Sequence, residues 1–166
     1  LMRLRVAAAR AADLSLKDLQ SVAHAVEPYI GAREFLGRLR AMGNVVIISD
    51  TFHEFSDPLA SKLGGVNLFA NQFELDERGR VNGFKLRIRG QKERIVSGFK
   101  SAGFAVAAMG DSLNDLSLLK SCDFPVLYRP VASLVEQFPG APVAQHLDDA
   151  LALMESARRK VDENGG

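Results

Sequence analysis

The chain has 166 residues, 47% apolar and 25% charged, which is enough length and apolar content for one domain with its own core. Its 21 Lys and Arg stand against 20 Asp and Glu, which excludes a whole-chain field drawing it onto nucleic acid or an anionic membrane. Cys122 is the only cysteine, which rules out an internal disulfide and a Cys-built zinc site and suits a cytoplasmic setting, and no apolar run approaches the roughly 20 residues of a membrane helix.

In chain order, Leu1 to Ala12 favours helix and opens with no cap or leader before it, so it reads as cut within an element. A second helix is predicted from Leu16 to Val26, capped by Ser15, with Leu16, Leu19, Val22, Ala23 and Val26 on one face. After Pro28 a third runs from Ala32 to Met42, turning Phe35, Leu36 and Leu39 inward and stopping at Gly43. The run Asn44 to Ser49 is then continuously apolar up to its last residue, the pattern of a parallel strand covered on both faces.

Helix and strand alternate from there: helix Glu54 to Leu63, strand Val66 to Ala70, helix Lys92 to Ala102, strand Phe104 to Met109, helix Leu113 to Lys120, strand Asp123 to Leu127. Glu77-Arg78-Gly79-Arg80 is turn chemistry between two short alternating runs, which places a β-hairpin between Phe73 and Arg87. Helices Val131 to Phe138 and Leu147 to Arg159 close the fold ahead of a polar tail, Asp162 to Gly166, expected to fray. The class is α/β, a Rossmann-like parallel sheet with helices on both faces.

In such a sheet ligands bind beyond the carboxyl ends of the strands. Three places qualify: Ser49-Asp50-Thr51 after the first strand, Gly90-Gln91-Lys92 before a helix, and Gly110-Asp111-Ser112-Leu113-Asn114-Asp115 after a buried strand. The last gathers oxygen ligands where a strand meets a helix, the donor type Mg²⁺ prefers. A helix cap accounts for one polar residue there and not for four in six positions. Ser49 can offer a hydroxyl and a backbone N–H to a phosphate, and Lys92 gains meaning only from that company.

Ser49, Lys92 and the Asp111 to Asp115 run, in this order, resemble the second, third and fourth motifs of the haloacid dehalogenase superfamily. Within it the chain is most similar to phosphoserine phosphatases of the branch that can also pass phosphate to homoserine. The likeness runs through Leu1 to Arg5, Ile48 to Phe52, Glu54-Phe55-Ser56, Phe99-Lys100-Ser101 and the fourth motif. It implies a helical cap inserted after the first strand, a bound Mg²⁺ and an aspartyl-phosphate intermediate. It implies Asp111 as metal ligand, Ser49 and Lys92 on the phosphate oxygens, Asn114 near the substrate phosphate, and Asp115 orienting Lys92 or the metal shell. Arg5, on the cap, would meet the substrate carboxylate. Residues 1–28 would be part of that cap, 29–161 the core domain and 162–166 the tail.

Two departures qualify the resemblance. The motif serine is followed by Asp50-Thr51 where phosphoserine phosphatases commonly carry two glycines, which makes Asp50 a candidate contact for a substrate ammonium. The family's first motif, a strand ending in Asp-x-[Asp/Glu], is absent: no such pair follows an apolar run. The strand expected between the Val45 and Val106 strands is then missing, so these residues are expected neither to turn over substrate nor to fold well alone, as a truncation of a longer protein.

The remaining residues suggest less. His24, His53 and His146 are too scattered for a metal triad, and only His53 lies near the expected site. Cys122 reads as a small buried thiol, and Lys85, Arg87, Arg89, Lys92 and Arg94 as a solvated edge without stacking aromatics. A nucleotide-binding module is disfavoured because neither Gly-x-Gly-x-x-Gly nor Gly-x-x-x-x-Gly-Lys-[Ser/Thr] occurs. A non-catalytic scaffold would have lost Asp111, Asn114 and Asp115 as well. Another small phosphorylated metabolite, and an oligomer, stay compatible with the sequence.

Overall fold

The computed structural model describes residues 2–87 and 91–164. Leu1, Arg89 of the basic stretch, Gly90 of the segment before Lys92, and Gly165 and Gly166 of the tail lie outside them. The elements run α1 (Met2–Ala11), α2 (Leu16–His24), α3 (Ala32–Met42), β1 (Val46–Phe52), α4 (His53–Lys62), β2 (Asn67–Leu75), β3 (Val81–Lys85) and α5 (Glu93–Ser101). After these come β4 (Ala107–Gly110), a 3-10 turn (Leu113–Asp115), α6 (Leu116–Ser121), β5 (Phe124–Tyr128), α7 (Ala132–Gln137), β6 (Val143–Ala144) and α8 (Leu147–Asn164). The α/β alternation is as the pattern required. The chain divides into two compact units, residues 1–33 with 45–89 and residues 34–44 with 90–166.

In the first unit a three-stranded sheet has the order β1-β2-β3, β1 and β2 parallel and β2 and β3 antiparallel. The pattern predicts a strand ending at Ala70 and a separate hairpin arm. They are one strand, because the polar residue that ends the apolar run, Asn71, satisfies its side chain inside the sheet and lets the backbone continue. Val6, Ala9, Phe52 and Val81 form the core, with Phe52 stacked on Phe73 at 3.8 Å between ring centres. Among the described residues β1 ends the sheet, paired on one side, and its apolar residues Val46 to Ile48 are half-buried, less covered than their run suggests.

Ser15 caps α2 as expected: its hydroxyl accepts the Asp18 N–H, while Asp18 Oδ2 accepts the Ser15 N–H at 2.9 Å. The Ser15 hydroxyl also donates to Asp18 Oδ2 at 2.6 Å, and this bond first, then the one from the Ser15 N–H, holds the Asp18 carboxyl below its ordinary range. The expected apolar face is narrower than its spacing, since Ala23 is buried but Val22 and Val26 are exposed. The helix ends at His24, so Val26 lies past it. Lys62 of α4 closes that end, its ammonium donating to His24 O, Val26 O and Glu27 Oε1 at 2.7, 2.9 and 2.5 Å.

In the second unit β4, β5 and β6 form a parallel sheet, Gly110 level with Leu127 and Tyr128 with Ala144. Leu118, Leu119, Val126, Leu127, Leu134 and Leu151 fill its interior. β6 escapes the sequence pattern because two residues between Pro142 and Gln145 carry no period. The predicted helix from Leu113 is a 3-10 turn that becomes α6 at Leu116. α8 carries helix through Asp162 and Glu163, where a frayed tail was expected, and Arg158 ties it to Asp162 at 3.0 Å and to Met42 O of α3 at 2.9 Å.

Asp123, immediately before β5, accepts from Lys100 Nζ at 2.6 Å and from the Val106 N–H at 2.9 Å, and these bonds, Lys100 first, lower its carboxyl pKa. A depressed carboxylate contributes stability above its unfolded pKa and loses it as pH falls through the folded one. Asp123→Asn is therefore expected to cost about 0.5–1 kcal/mol near pH 7, with the gap closing as wild type is acidified below the ordinary carboxylate range. Urea unfolding across pH checks it, and a gap independent of pH would refute the assignment.

Candidate active site

The second unit gathers its polar groups at the carboxyl end of β4. Lys92, just ahead of α5, is 5% exposed, and its Nζ lies 2.8 Å from Asp115 Oδ1. A buried ammonium is tolerated only beside a carboxylate, so each residue requires the other. The second oxygen of Asp115 accepts the Asp111 N–H at 3.2 Å, fixing the turn that carries Asp111. The 3-10 turn is what folds Asp115 back: its own N–H bonds Ser112 O at 2.9 Å. Gly110 makes room, because a Cβ there would stand 2.5 Å from the Asp115 Cβ. Asp111 O in turn accepts the Val131 N–H at 3.0 Å, so the backbone of Asp111 is held on both sides while its carboxylate is exposed.

Both oxygens of Asp115 are thus engaged, and of the two roles expected for it the geometry supplies the orienting of Lys92. Asn114 sits exposed on the same turn. Among the described residues no three His, Cys, Asp or Glu side chains converge as a ready-made cage for a metal. One hard carboxylate, Asp111, remains open at the strand end, which fits an ion that keeps waters and takes its other ligands from phosphate.

The first unit carries the other group at the end of β1. Ile48 pairs with Phe69 and Phe52 with Asn71, so Ser49, Asp50 and Thr51 stand opposite Ala70 alone. This bulge breaks the ladder where the chain needs to turn. The unpaired backbone is satisfied locally: Ser49 Oγ accepts the Thr51 N–H at 3.3 Å, and the Asp50 carbonyl accepts from Asn71 Nδ2 at 3.1 Å. Asn71, 1% exposed, takes the Arg87 N–H on its Oδ1 at 3.0 Å. Glu54 accepts the Phe73 N–H at 3.2 Å on each oxygen, and Ser56 Oγ donates to Phe52 O at 2.6 Å.

The sequence-predicted residues fall into these two groups, Ser49, Asp50 and Thr51 in one unit and Lys92, Asp111, Asn114 and Asp115 in the other. The backbone of Arg5 lies in α1, and its side chain is outside the described residues. Asn71 was not anticipated. Its only signal is an amide in the middle of β2, where strand propensity disfavours Asn. The Cys122 thiol is half-buried, donates to Leu119 O at 3.3 Å, and is pushed up by burial, which leaves it a poor nucleophile.

With this alternation, a Lys–Asp pair at one strand end and a serine turn at another, the fold defines a haloacid dehalogenase-like hydrolase. The model of that family matches residues 1–120, and the chain belongs to it. Phosphoserine phosphatase ThrH of Pseudomonas aeruginosa is 37% identical over 149 residues, 90% of this chain and 73% of that protein. A phosphoserine phosphatase of Pseudomonas syringae pv. tomato is 36% identical over the same share of this chain, which spans 63% of its length. Among solved structures, an apo phosphoserine phosphatase superposes with a TM-score of 0.77 at 23% identity, covering 91% of this chain and 78% of the other. A substrate-bound phosphoserine phosphatase complex gives 0.72 at 22% identity over 84% of this chain and 70% of the other. At that identity the superpositions show the fold.

Asp115→Ala leaves the Lys92 ammonium buried without its carboxylate and is expected to cost about 3 kcal/mol. Replacing the pair together, Lys92→Met with Asp115→Leu, should recover most of that loss, as read by denaturant unfolding of the single and double variants. A single-variant loss near zero would mean the pair is not buried in solution.

Proposed function

We propose that the chain is part of a Mg²⁺-dependent phosphatase or phosphotransferase acting on O-phosphoserine through an aspartyl-phosphate intermediate, with water or homoserine as acceptor. The observation that carries this reading is the buried Lys92–Asp115 pair beneath an open Asp111 carboxylate at one strand end. The 37% identity to a phosphoserine phosphatase supports the substrate.

In this reading Lys92, held by Asp115, neutralises charge building on the transferring phosphoryl group, and Ser49 donates to one of its oxygens. Asn114 contacts the substrate phosphate. Asp111 would hold Mg²⁺, with Asp115 beside it; the ion supplies charge neutralisation on the phosphate oxygens. Arg5 meets the substrate carboxylate from a helical cap made in part by residues 1–28, with 29–161 as the core. Asp50, with Thr51 beside it, receives the substrate ammonium. A cytoplasmic enzyme suits the single half-buried thiol, and among the described residues no helix is long and apolar enough to cross a membrane.

No Asp-x-Asp or Asp-x-Glu occurs in the sequence, so the reading assigns no turnover to these 166 residues by themselves. The second reading is a non-catalytic relative that binds a small phosphorylated metabolite. The deciding assay compares phosphate release from O-phosphoserine by the protein as its source makes it and by the 166-residue chain. Release by the former, abolished by chelation and restored by Mg²⁺, is expected; no release from either supports the non-catalytic relative. Adding Asp50→Asn should weaken turnover of O-phosphoserine about tenfold while sparing an aryl phosphate, since one charge-assisted contact is lost. Equal losses on both substrates would remove Asp50 from the ammonium site.

A further inference from the structure

Asn71 is 1% exposed in β2, although burying an amide costs free energy and strands disfavour Asn. What it bonds explains its presence. Across the bulge, three residues of β1 stand against Ala70 alone, so the β2 backbone cannot pair with each of them. The Asn71 side chain reaches into that gap. Its Oδ1 accepts the Arg87 N–H at 3.0 Å, which fixes the orientation of the amide, and its Nδ2 donates to the Asp50 carbonyl at 3.1 Å.

That carbonyl and the Thr51 N–H belong to one planar peptide group, so holding its oxygen also aims its N–H. The Thr51 N–H donates to Ser49 Oγ at 3.3 Å. A hydroxyl that accepts this bond keeps its own proton to donate onward. The bonds therefore run in one direction, from Arg87 N–H through the Asn71 amide and the Asp50–Thr51 peptide to the Ser49 hydroxyl, and each polarises the next.

We propose that Asn71 is a positioning residue for the Ser49 to Thr51 turn, presenting the Ser49 hydroxyl to a phosphate oxygen through the Asp50–Thr51 peptide. The assignment rests on the phosphate role given to Ser49 above. Asn71 itself does not touch the substrate.

The test uses the protein as its source makes it. In Asn71→Asp the side chain keeps its shape and still accepts from Arg87, but an ionised oxygen faces the Asp50 carbonyl. Once protonated its O–H can donate there again, and burial raises the pH at which that happens. The Thr51 amide resonance should therefore depart from wild type at about pH 7.5 and return toward it at about pH 5. Relative to wild type, kcat/KM should be about tenfold lower at the higher pH and recover at the lower, for an aryl phosphate as well as for O-phosphoserine. Wild type measured at each pH carries the same Asp50, His53 and Glu54, which takes their titration out of the comparison. Asn71→Ser, uncharged and too short to reach the carbonyl, should show the loss at every pH and carries the test where the Asp variant does not fold. A Thr51 resonance unmoved by either variant, a loss in Asn71→Asp that pH leaves unchanged, or a loss confined to O-phosphoserine overturns the proposal. If wild type released no phosphate from O-phosphoserine, the functional reading would fail while the Thr51 resonance still decided whether Asn71 holds the turn.

Discussion

A lysine ammonium that is 5% exposed must keep a carboxylate beside it, and much of the second unit is arranged so that Asp115 can be that carboxylate. Gly110 has no side chain because Asp115 occupies the space a Cβ would need. The 3-10 turn brings Asp115 back over the end of β4, and the remaining oxygen of Asp115 fixes the Asp111 N–H. The Lys92–Asp115 ion pair therefore ties together the position of Lys92, the shape of the turn and the backbone of Asp111. Such a pair adds little net stability compared with apolar packing, so folding stability alone does not explain its presence at a strand mouth.

The first unit reaches a comparable result with a neutral device. A bulge at Ser49 to Thr51 frees backbone groups from the ladder, and the Asn71 amide takes up the Asp50 carbonyl while binding the start of the segment beyond β3 through Arg87. An amide suits this place, since it can donate and accept at once. The chain belongs to the haloacid dehalogenase-like hydrolases, and local hydrogen bonds account for how these strand-end groups are held.

The alternation of helices and strands was legible because apolar runs and amphipathic periods are long in this chain, and α3 matches its expected limits at both ends. Ser15 announced the start of α2 through its capping chemistry, and the structure adds Asp18 as its partner. The Asp111 to Asp115 run was legible because polar residues cluster where a buried strand ends, whereas Lys92 joined it only through its company and the likeness to the haloacid dehalogenase motifs. β6 was too short to show a period, and the continuity of β2 was hidden because Asn71 looks like a terminator until its two partners, distant in sequence, are known. The exposure of Val22 shows the limit of spacing as evidence: a period says which residues share a face, and only the end of the helix and its neighbours decide how much of that face is covered.

β2 pairs in parallel with β1 at one end and antiparallel with β3 at the other. Strand side chains alternate faces, so sliding this strand by one residue would put Ala70 or Gln72 in the place of Asn71 opposite Phe52, take the amide away from the Asp50 carbonyl and turn Phe73 away from Phe52. Neither error can be corrected at one end alone. Asn71 thus works as a checksum on alignment: the carbonyl of Asp50 finds its donor only when the hairpin and the parallel pairing are both in step, which makes the two ladders a single cooperative unit.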